Sequence, residues 1–175
     1  MGFSNLKGKT PFGAGSYIND NGEFIIQVVK NLDKQSTQNK GKYFFITEFK
    51  ILESSEPDKV KVGSNKSQSI DVMTDWGAAD AVAFLAAAAG LDAYSGEDGF
   101  QNHVIKAYEE AFDAHGLDFE TIAYMVCDES QPLEGTKLLL KTINRPHKAC
   151  KDMSPEDPNY KFFTKHMWYP YDDSE

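Results

Sequence analysis

Apolar and polar residues alternate along several short stretches of the chain, a pattern typical of β-strands with two different faces. The longest such stretch is residues 41–54, in which aromatic and β-branched residues dominate and proline is absent. Tyr43, Phe45 and Phe49 fall on one predicted face of this strand. At about 3.3 Å per residue it would span roughly 40 Å, so we expect it to bend and serve two sheets.

Four further stretches have strand chemistry and are predicted to be strands: residues 23–30, 67–73, 136–144 and 160–169. A turn signal at residues 19–22 precedes the first of them. The polar residues 31–40 and 145–159 are predicted to be loops.

The hydrophobic period changes from that of strands to that of helices between the third and fourth predicted strands. Residues 76–89 are predicted to form a helix, capped by Thr74 or Asp75 and closed by Gly90. A second helix is predicted over residues 100–115, and a short third one follows Asp118.

Three strands, a helical segment and two strands are the element order of the OB-fold, a small Greek-key barrel. The predicted fold class is therefore mainly β with a helical insertion (α+β): a five-stranded OB-fold barrel with helices between strands three and four. At 175 residues the chain is expected to be a single domain. Its predicted parts are strands one to three (16–74), the helical insertion (75–134), strands four and five (135–169) and an acidic tail (170–175).

Charge is distributed unevenly over these parts, although the whole chain carries −9. Residues 1–68 carry +3 and residues 135–171 carry +4, whereas residues 69–134 carry −13. The strand-rich ends are therefore basic, and the local field rather than the net charge steers a ligand. No signal peptide or membrane-spanning stretch is visible and only two cysteines are present, so a cytoplasmic location without a membrane partner is expected.

Motifs for catalysis are scarce: the chain has no GxxxxGK[ST] phosphate loop, no GxGxxG after a strand and no GxSxG elbow. His147 and Cys150 form an HxxC pair, with Cys127 as a further thiol, but the second pair that a zinc site needs is missing. We therefore predict a protein that is not an enzyme and has no cofactor or metal. A metal-dependent nuclease that uses the clustered acids is a weaker alternative, and EDTA and Mg²⁺ would test it.

The chemistry of single-stranded nucleic-acid binding is better represented, because it needs flat side chains for bases and cations along the backbone path. In OB barrels the binding face includes strands two and three, flanked by the loops between strands one and two and between strands four and five. The predicted nucleic-acid-binding residues are Lys42, Tyr43, Phe45, Phe49, Lys50, Lys137, Lys141, Arg145, Lys148, Lys161, Phe163, Lys165 and Trp168. For each aromatic ring taken singly, packing in the core is the alternative.

Two runs, GSYINDNGEFIIQVVKN and GKYFFITEFKILESS, precede a Gly-Ser, a short strand and an Ala-rich helix. This arrangement resembles a family of bacteriophage early proteins that are regarded as OB-fold single-stranded-DNA-binding proteins of replication and recombination. The resemblance covers residues 13–90 best and extends to the strand pair at 136–169. The ending DDSE also resembles the acidic C-terminal tails of such proteins, which implies replication or recombination proteins as possible partners.

The leading hypothesis is sequence-independent binding of single-stranded DNA by base stacking on aromatic rings and neutralisation of phosphates by lysine and arginine. The acidic middle would repel DNA from the back of the barrel. The alternative is a protein-interaction module, or a DNA mimic, that uses its acidic helical face to bind a basic partner.

Overall fold

The structure is a computed structural model that describes residues 17–36, 41–92, 110 and 119–172. The described residues form five strands, all paired antiparallel in one sheet of order β3-β2-β1-β4-β5. The strands are β1 (Gly22–Gln35), β2 (Tyr43–Ser54), β3 (Asn65–Asp71), β4 (Lys137–Pro146) and β5 (Phe162–Pro170). The prediction of a mainly β chain with five strands is confirmed.

Two α-helices are described between β3 and β4, namely α1 (Asp75–Ala88) and α2 (Phe119–Val126). The N-cap of α1 is Thr74, whose side-chain oxygen accepts a hydrogen bond from the backbone N–H of Gly77 at 3.0 Å. Gly90, with φ of 85°, follows the helix in the left-handed conformation that glycine adopts without strain. Of the two predicted caps Thr74 is the one observed, and the helix predicted over residues 76–89 is confirmed to within one residue at each end. The predicted helix over residues 100–115 lies outside the described residues apart from Glu110.

β1 continues five residues beyond its predicted end, through a segment that was expected to be a loop. The main chain keeps pairing with β2, from Asn31 opposite Thr47 to Gln35 opposite Tyr43. Asn31 is buried, and its side-chain Nδ2 donates to Thr47 Oγ1 at 3.0 Å. Gln131 bonds both the N–H and the C=O of Asn31, at 2.8 and 2.9 Å. Polar residues therefore extend this strand through hydrogen bonds that a hydrophobic pattern does not reveal.

The core lies between the sheet and α1, which packs mainly on β5 and also on β3. These are the two edge strands of the sheet. Phe84 of α1 packs against the Trp168 ring of β5, with 5.0 Å between the ring centroids. Trp168 Nε1 donates to Gln68 Oε1 of β3 at 3.0 Å, so one side-chain hydrogen bond joins the two edges.

Within the described residues, the sheet ends at β3 on one side and at β5 on the other, and these two strands are not neighbours. The sheet is not closed into a barrel. The predicted closed OB-fold barrel is therefore not confirmed, because a helix and side chains, rather than a main-chain ladder, connect the edge strands.

Candidate nucleic-acid interface

Three of the aromatic residues that were predicted to stack on bases lie in the hydrophobic core instead. Phe45, Phe49 and Trp168 are 3%, 0% and 0% exposed. The rings of Phe49 and Trp168 meet edge-to-face with 5.4 Å between centroids. Their faces are covered by protein, so the sequence-based assignment of these three residues as base platforms is wrong for this conformation.

Tyr43 is half-buried, and its hydroxyl donates a hydrogen bond to Asp33 Oδ2. Burial raises the pKa of this phenol, and the hydrogen bond and negative charge of Asp33 raise it further. Tyr43 lines a cavity whose charged members are Asp33 and Glu120. Nearby carboxylates repel the phosphates of a nucleic-acid backbone. Tyr43 is therefore not part of the basic surface described below.

A basic groove with a volume of about 870 Å³ lies between the first turns of α1, the end of β4 and the start of β5. Its floor and rim include two large aromatic side chains, Trp76 and Phe163, which are 81% and 45% exposed. Arg145, Lys148 and Lys165 line the same groove. The structure thus brings together four predicted site residues, Arg145, Lys148, Phe163 and Lys165, and adds Trp76.

Strand pairing explains why these side chains meet. Arg145 lies opposite Phe163 in the β4–β5 register, so a cation and an aromatic ring are cross-strand neighbours. Thr164 Oγ1 donates to Asn144 Oδ1 at 2.7 Å and fastens the two strands at this point. The His147 ring packs against Phe163 with 5.7 Å between centroids, which supports the aromatic wall from the loop side.

The outward face of β4 continues the basic surface away from the groove. Lys137, Lys141 and Arg145 alternate with Leu138, Leu140 and Thr142, which are buried. The period of two therefore places all three cations on one face. Lys141 Nζ lies 3.4 Å from Glu23 Oε1 and 5.2 Å from the centroid of the Tyr169 ring, so its charge is partly neutralised within the protein.

The remaining predicted cations are separate from the groove lining. Lys42, just before β2, and Lys50, within β2, are exposed and outside the groove lining. Lys161 is exposed just before β5, and its backbone oxygen accepts a hydrogen bond from His147 N–H at 2.9 Å. The structure therefore does not bring Lys42 and Lys50 together with the groove cluster, whereas Lys161 anchors the adjoining loop.

Asp80 supplies a negative charge on the α1 side of the groove. Burial raises the pKa of this carboxyl to about 6, and the nearby Lys165 opposes part of that rise. When Asp80 is protonated near pH 6, the groove loses one negative charge and its net charge becomes more positive by one.

His166 lies directly behind the groove lining, buried beneath β5. Burial lowers its pKa to about 4, against a smaller opposing effect of the hydrogen bond between Nδ1 and the Thr164 carbonyl. The neutral ring stacks near Trp168, with 6.4 Å between centroids. His166 is therefore a core residue at neutral pH and does not add positive charge to the surface.

The candidate zinc ligands have other contacts. Cys150 is buried, and its Sγ contacts the backbone oxygen of Asn159 at 3.7 Å and the N–H of Lys161 at 3.4 Å. Burial raises the pKa of the Cys127 thiol to about 12, with a further contribution from Asp33. In the part of the chain that the structure describes, no three His, Cys, Asp or Glu side chains are grouped so as to hold a metal ion.

Trp76 is the groove residue that sequence reasoning missed, because it was assigned only as the start of a helix. The helical period of 3.6 residues places Trp76 on the side of α1 opposite Leu85, which is buried in the core. The available signal was a bulky tryptophan placed opposite Leu85 on an otherwise alanine-rich helix.

Comparison with known proteins gives no family for this chain: a scan against protein-family models and a search of curated proteins returned no match. Among the described helices, none has both the length and the apolar character that crossing a bilayer requires.

Proposed function

We propose that this protein binds single-stranded DNA without sequence preference, in the replication or recombination of bacteriophage DNA, and that the basic groove is its binding site. The observation that carries the proposal is the convergence of two exposed aromatic rings with three cations in one groove. Trp76 and Phe163 offer flat surfaces to bases, and Arg145, Lys148 and Lys165 line the same space. Stacking and phosphate neutralisation together are what single-strand binding requires.

The proposed path of the strand runs from the groove onto the outward face of β4. Bases stack on Trp76 and Phe163, while Arg145 and Lys148 neutralise phosphates. Farther along, Lys141 and Lys137 would extend the contact over roughly 26 Å, the span of eight residues at ~3.3 Å each. A phosphate at Lys141 would compete with Glu23 for the same ammonium group.

We also propose that the sheet is an open variant of the OB-fold, which is itself a partly open five-stranded barrel. The strand order leaves β3 and β5 as the edges that would pair in a closed barrel. α1 packs on both of them. The loop between β4 and β5, which carries Lys148, would then flank the binding face as the corresponding loop does in OB-folds.

The test is fluorescence anisotropy of a labelled dT oligonucleotide at low and high salt, with a duplex of equal length and oligo(rU) in parallel. We expect salt-sensitive binding of dT and weak binding of the duplex. Arg145→Glu/Lys148→Glu should weaken dT binding more than tenfold, because it reverses two charges in the groove. Lys59→Glu/Lys61→Glu, an equal charge change at exposed positions outside the groove lining, should weaken it much less.

Trp76→Ala separates stacking from charge. We expect it to cost about 1–3 kcal/mol of binding free energy, the usual value for one base–aromatic stack. Tyr124→Ala removes an exposed ring outside the groove and should leave the affinity within twofold. Unchanged affinity in both Trp76→Ala and the groove charge variant would refute the assigned site, and absence of dT binding at low salt would refute the function.

Lys137→Glu/Lys141→Glu tests whether the strand continues along β4. A strong loss of affinity would support the extended path. An unchanged affinity would confine the contact to the groove.

A further inference from the structure

A second cavity, of about 530 Å³, is lined by residues of α1 that differ from those lining the basic groove. Ala78 and Ala81 face this cavity, whereas Trp76, Ala79 and Asp80 face the groove. The rest of its wall comes from the paired ends of β1 and β2, from the segment after β3 and from α2. Helix α1 therefore lies between the basic groove and this second cavity.

The walls of the second cavity are mainly apolar and aromatic. Phe45 and Ala81 form its buried part, and the rings of Tyr43 and Tyr124 lie nearer the solvent. Tyr124 is half-exposed, and its hydroxyl interacts with that of Tyr43 across the cavity wall. Such walls accept an aliphatic chain and present ring faces to a cation.

Two exposed carboxylates, Asp33 and Glu120, lie at the rim of this cavity. The Tyr43 hydroxyl donates to Asp33. Burial and the contact with Asp33 raise the pKa of this phenol, so it remains the donor of the pair. Among the described residues close in sequence to the wall, Asp71 and Asp75 are negative and Lys34 and Lys42 are positive. With Asp33 and Glu120, this described set is negative overall.

We propose that this cavity binds a lysine or arginine side chain from a basic segment of a partner protein. The apolar walls would take up the methylene stem, and the charged head would lie between the tyrosine rings and the rim carboxylates. The local field favours the approach of a basic partner, because residues 69–134, which include α1 and α2 of the cavity wall, carry −13. This inference is independent of the proposed function, because a nucleic-acid backbone carries the opposite charge.

The probe is a fluorescein-labelled hexa-arginine peptide, with hexa-citrulline as the uncharged control, titrated by anisotropy at low salt. We expect the arginine peptide to bind and the citrulline peptide to bind at least tenfold more weakly. Asp33→Asn/Glu120→Gln should weaken arginine-peptide binding about tenfold. Glu129→Gln/Glu134→Gln removes the same number of charges at exposed positions outside the cavity and should change it less than twofold.

Filling the cavity tests the location without a change of charge. Ala123→Leu places a larger side chain in the wall and should weaken peptide binding at least fivefold. If Ala123→Leu does not fold, Ala78→Leu, at a second wall position, serves as the test instead. Equal losses in the two charge variants, or unchanged affinity in the filled variant, would overturn the proposal.

Reciprocal variants distinguish this site from the basic groove. We expect Arg145→Glu/Lys148→Glu to leave arginine-peptide binding no weaker, and Asp33→Asn/Glu120→Gln to retain dT binding. Loss of peptide binding in the groove variant would instead assign both ligands to one surface and would overturn the inference.

Discussion

The two tryptophan side chains of this protein have opposite environments. Trp168 is fully buried between Phe49, Phe84 and His166, and its ring nitrogen bonds Gln68. Trp76 is 81% exposed in the groove. The first ring therefore stabilises the core, and the second is available to a ligand.

The same substitution at both positions separates these roles. Trp168→Phe should lower the free energy of unfolding by about 1–3 kcal/mol, because it leaves the nearly buried Gln68 oxygen without its donor. Trp76→Phe should change it by less than about 0.5 kcal/mol, as exposed substitutions usually do. Urea denaturation of the two variants measures both values. Equal effects would contradict the assignment of Trp168 as the link between the edge strands.

At the scale of elements, the junction between β3 and α1 sets the position of the groove. Thr74 Oγ1 donates to the Asp71 carbonyl at 2.9 Å and accepts from Gly77 N–H at 3.0 Å. Gly77 is buried against that same carbonyl, and a Cβ atom there would collide with it. The first turn of α1, which carries Trp76, is thus held against the end of β3.

Gly77→Ala should therefore destabilise the protein, although alanine is normally better than glycine in a helix by about 1 kcal/mol. Forcing a side chain into this packed junction is expected to cost about 1–3 kcal/mol. Thermal unfolding, with Trp76→Ala at the adjacent exposed position as control, measures the effect. A stabilised Gly77→Ala variant would show that the junction can move.

At the scale of the whole molecule, positive and negative charges line different surfaces. The groove and the outward face of β4 carry cations, whereas the second cavity carries carboxylates. Local fields of opposite sign allow an acidic protein to bind a polyanion. Asp80 is the exception within the basic groove, and its pKa of about 6 makes the field of the groove dependent on pH.

Affinity for dT should rise as the pH falls from 7 to 5.5, because protonation of Asp80 removes a negative charge next to the bound phosphates. One charge at about 4 Å in water is worth about 1 kcal/mol, so a 3- to 10-fold change is expected. The Asp80→Asn variant should bind dT more tightly than the unsubstituted protein at pH 7, and its affinity should depend much less on pH. Anisotropy titrations in a His147→Gln background exclude the neighbouring imidazole, and an unaltered pH response in Asp80→Asn would contradict the prediction.

The local pattern of the sequence was sufficient to predict the elements that depend on neighbouring residues alone. Five strands, the N-cap at Thr74 and the closing Gly90 follow from side-chain alternation, capping chemistry and the freedom of glycine at positive φ. The segregation of charge, read from composition, likewise predicted that Arg145 and Lys148 belong to a basic surface.

Only the tertiary structure decided which aromatic rings are accessible. Alternation divides the side chains of β2 between two faces of the sheet. Residues 45–49 are all buried, whichever face they lie on, so the pattern could not identify an outer face. Whether Trp168 or Trp76 is covered depends on where α1 packs, which is a contact between residues distant in the chain. The same holds for the extension of β1, which Gln131 stabilises from 100 positions away. Packing between residues distant in the chain decides whether each side chain lies in the core or on the surface. The local periodicity of the sequence contains no information about these distant contacts.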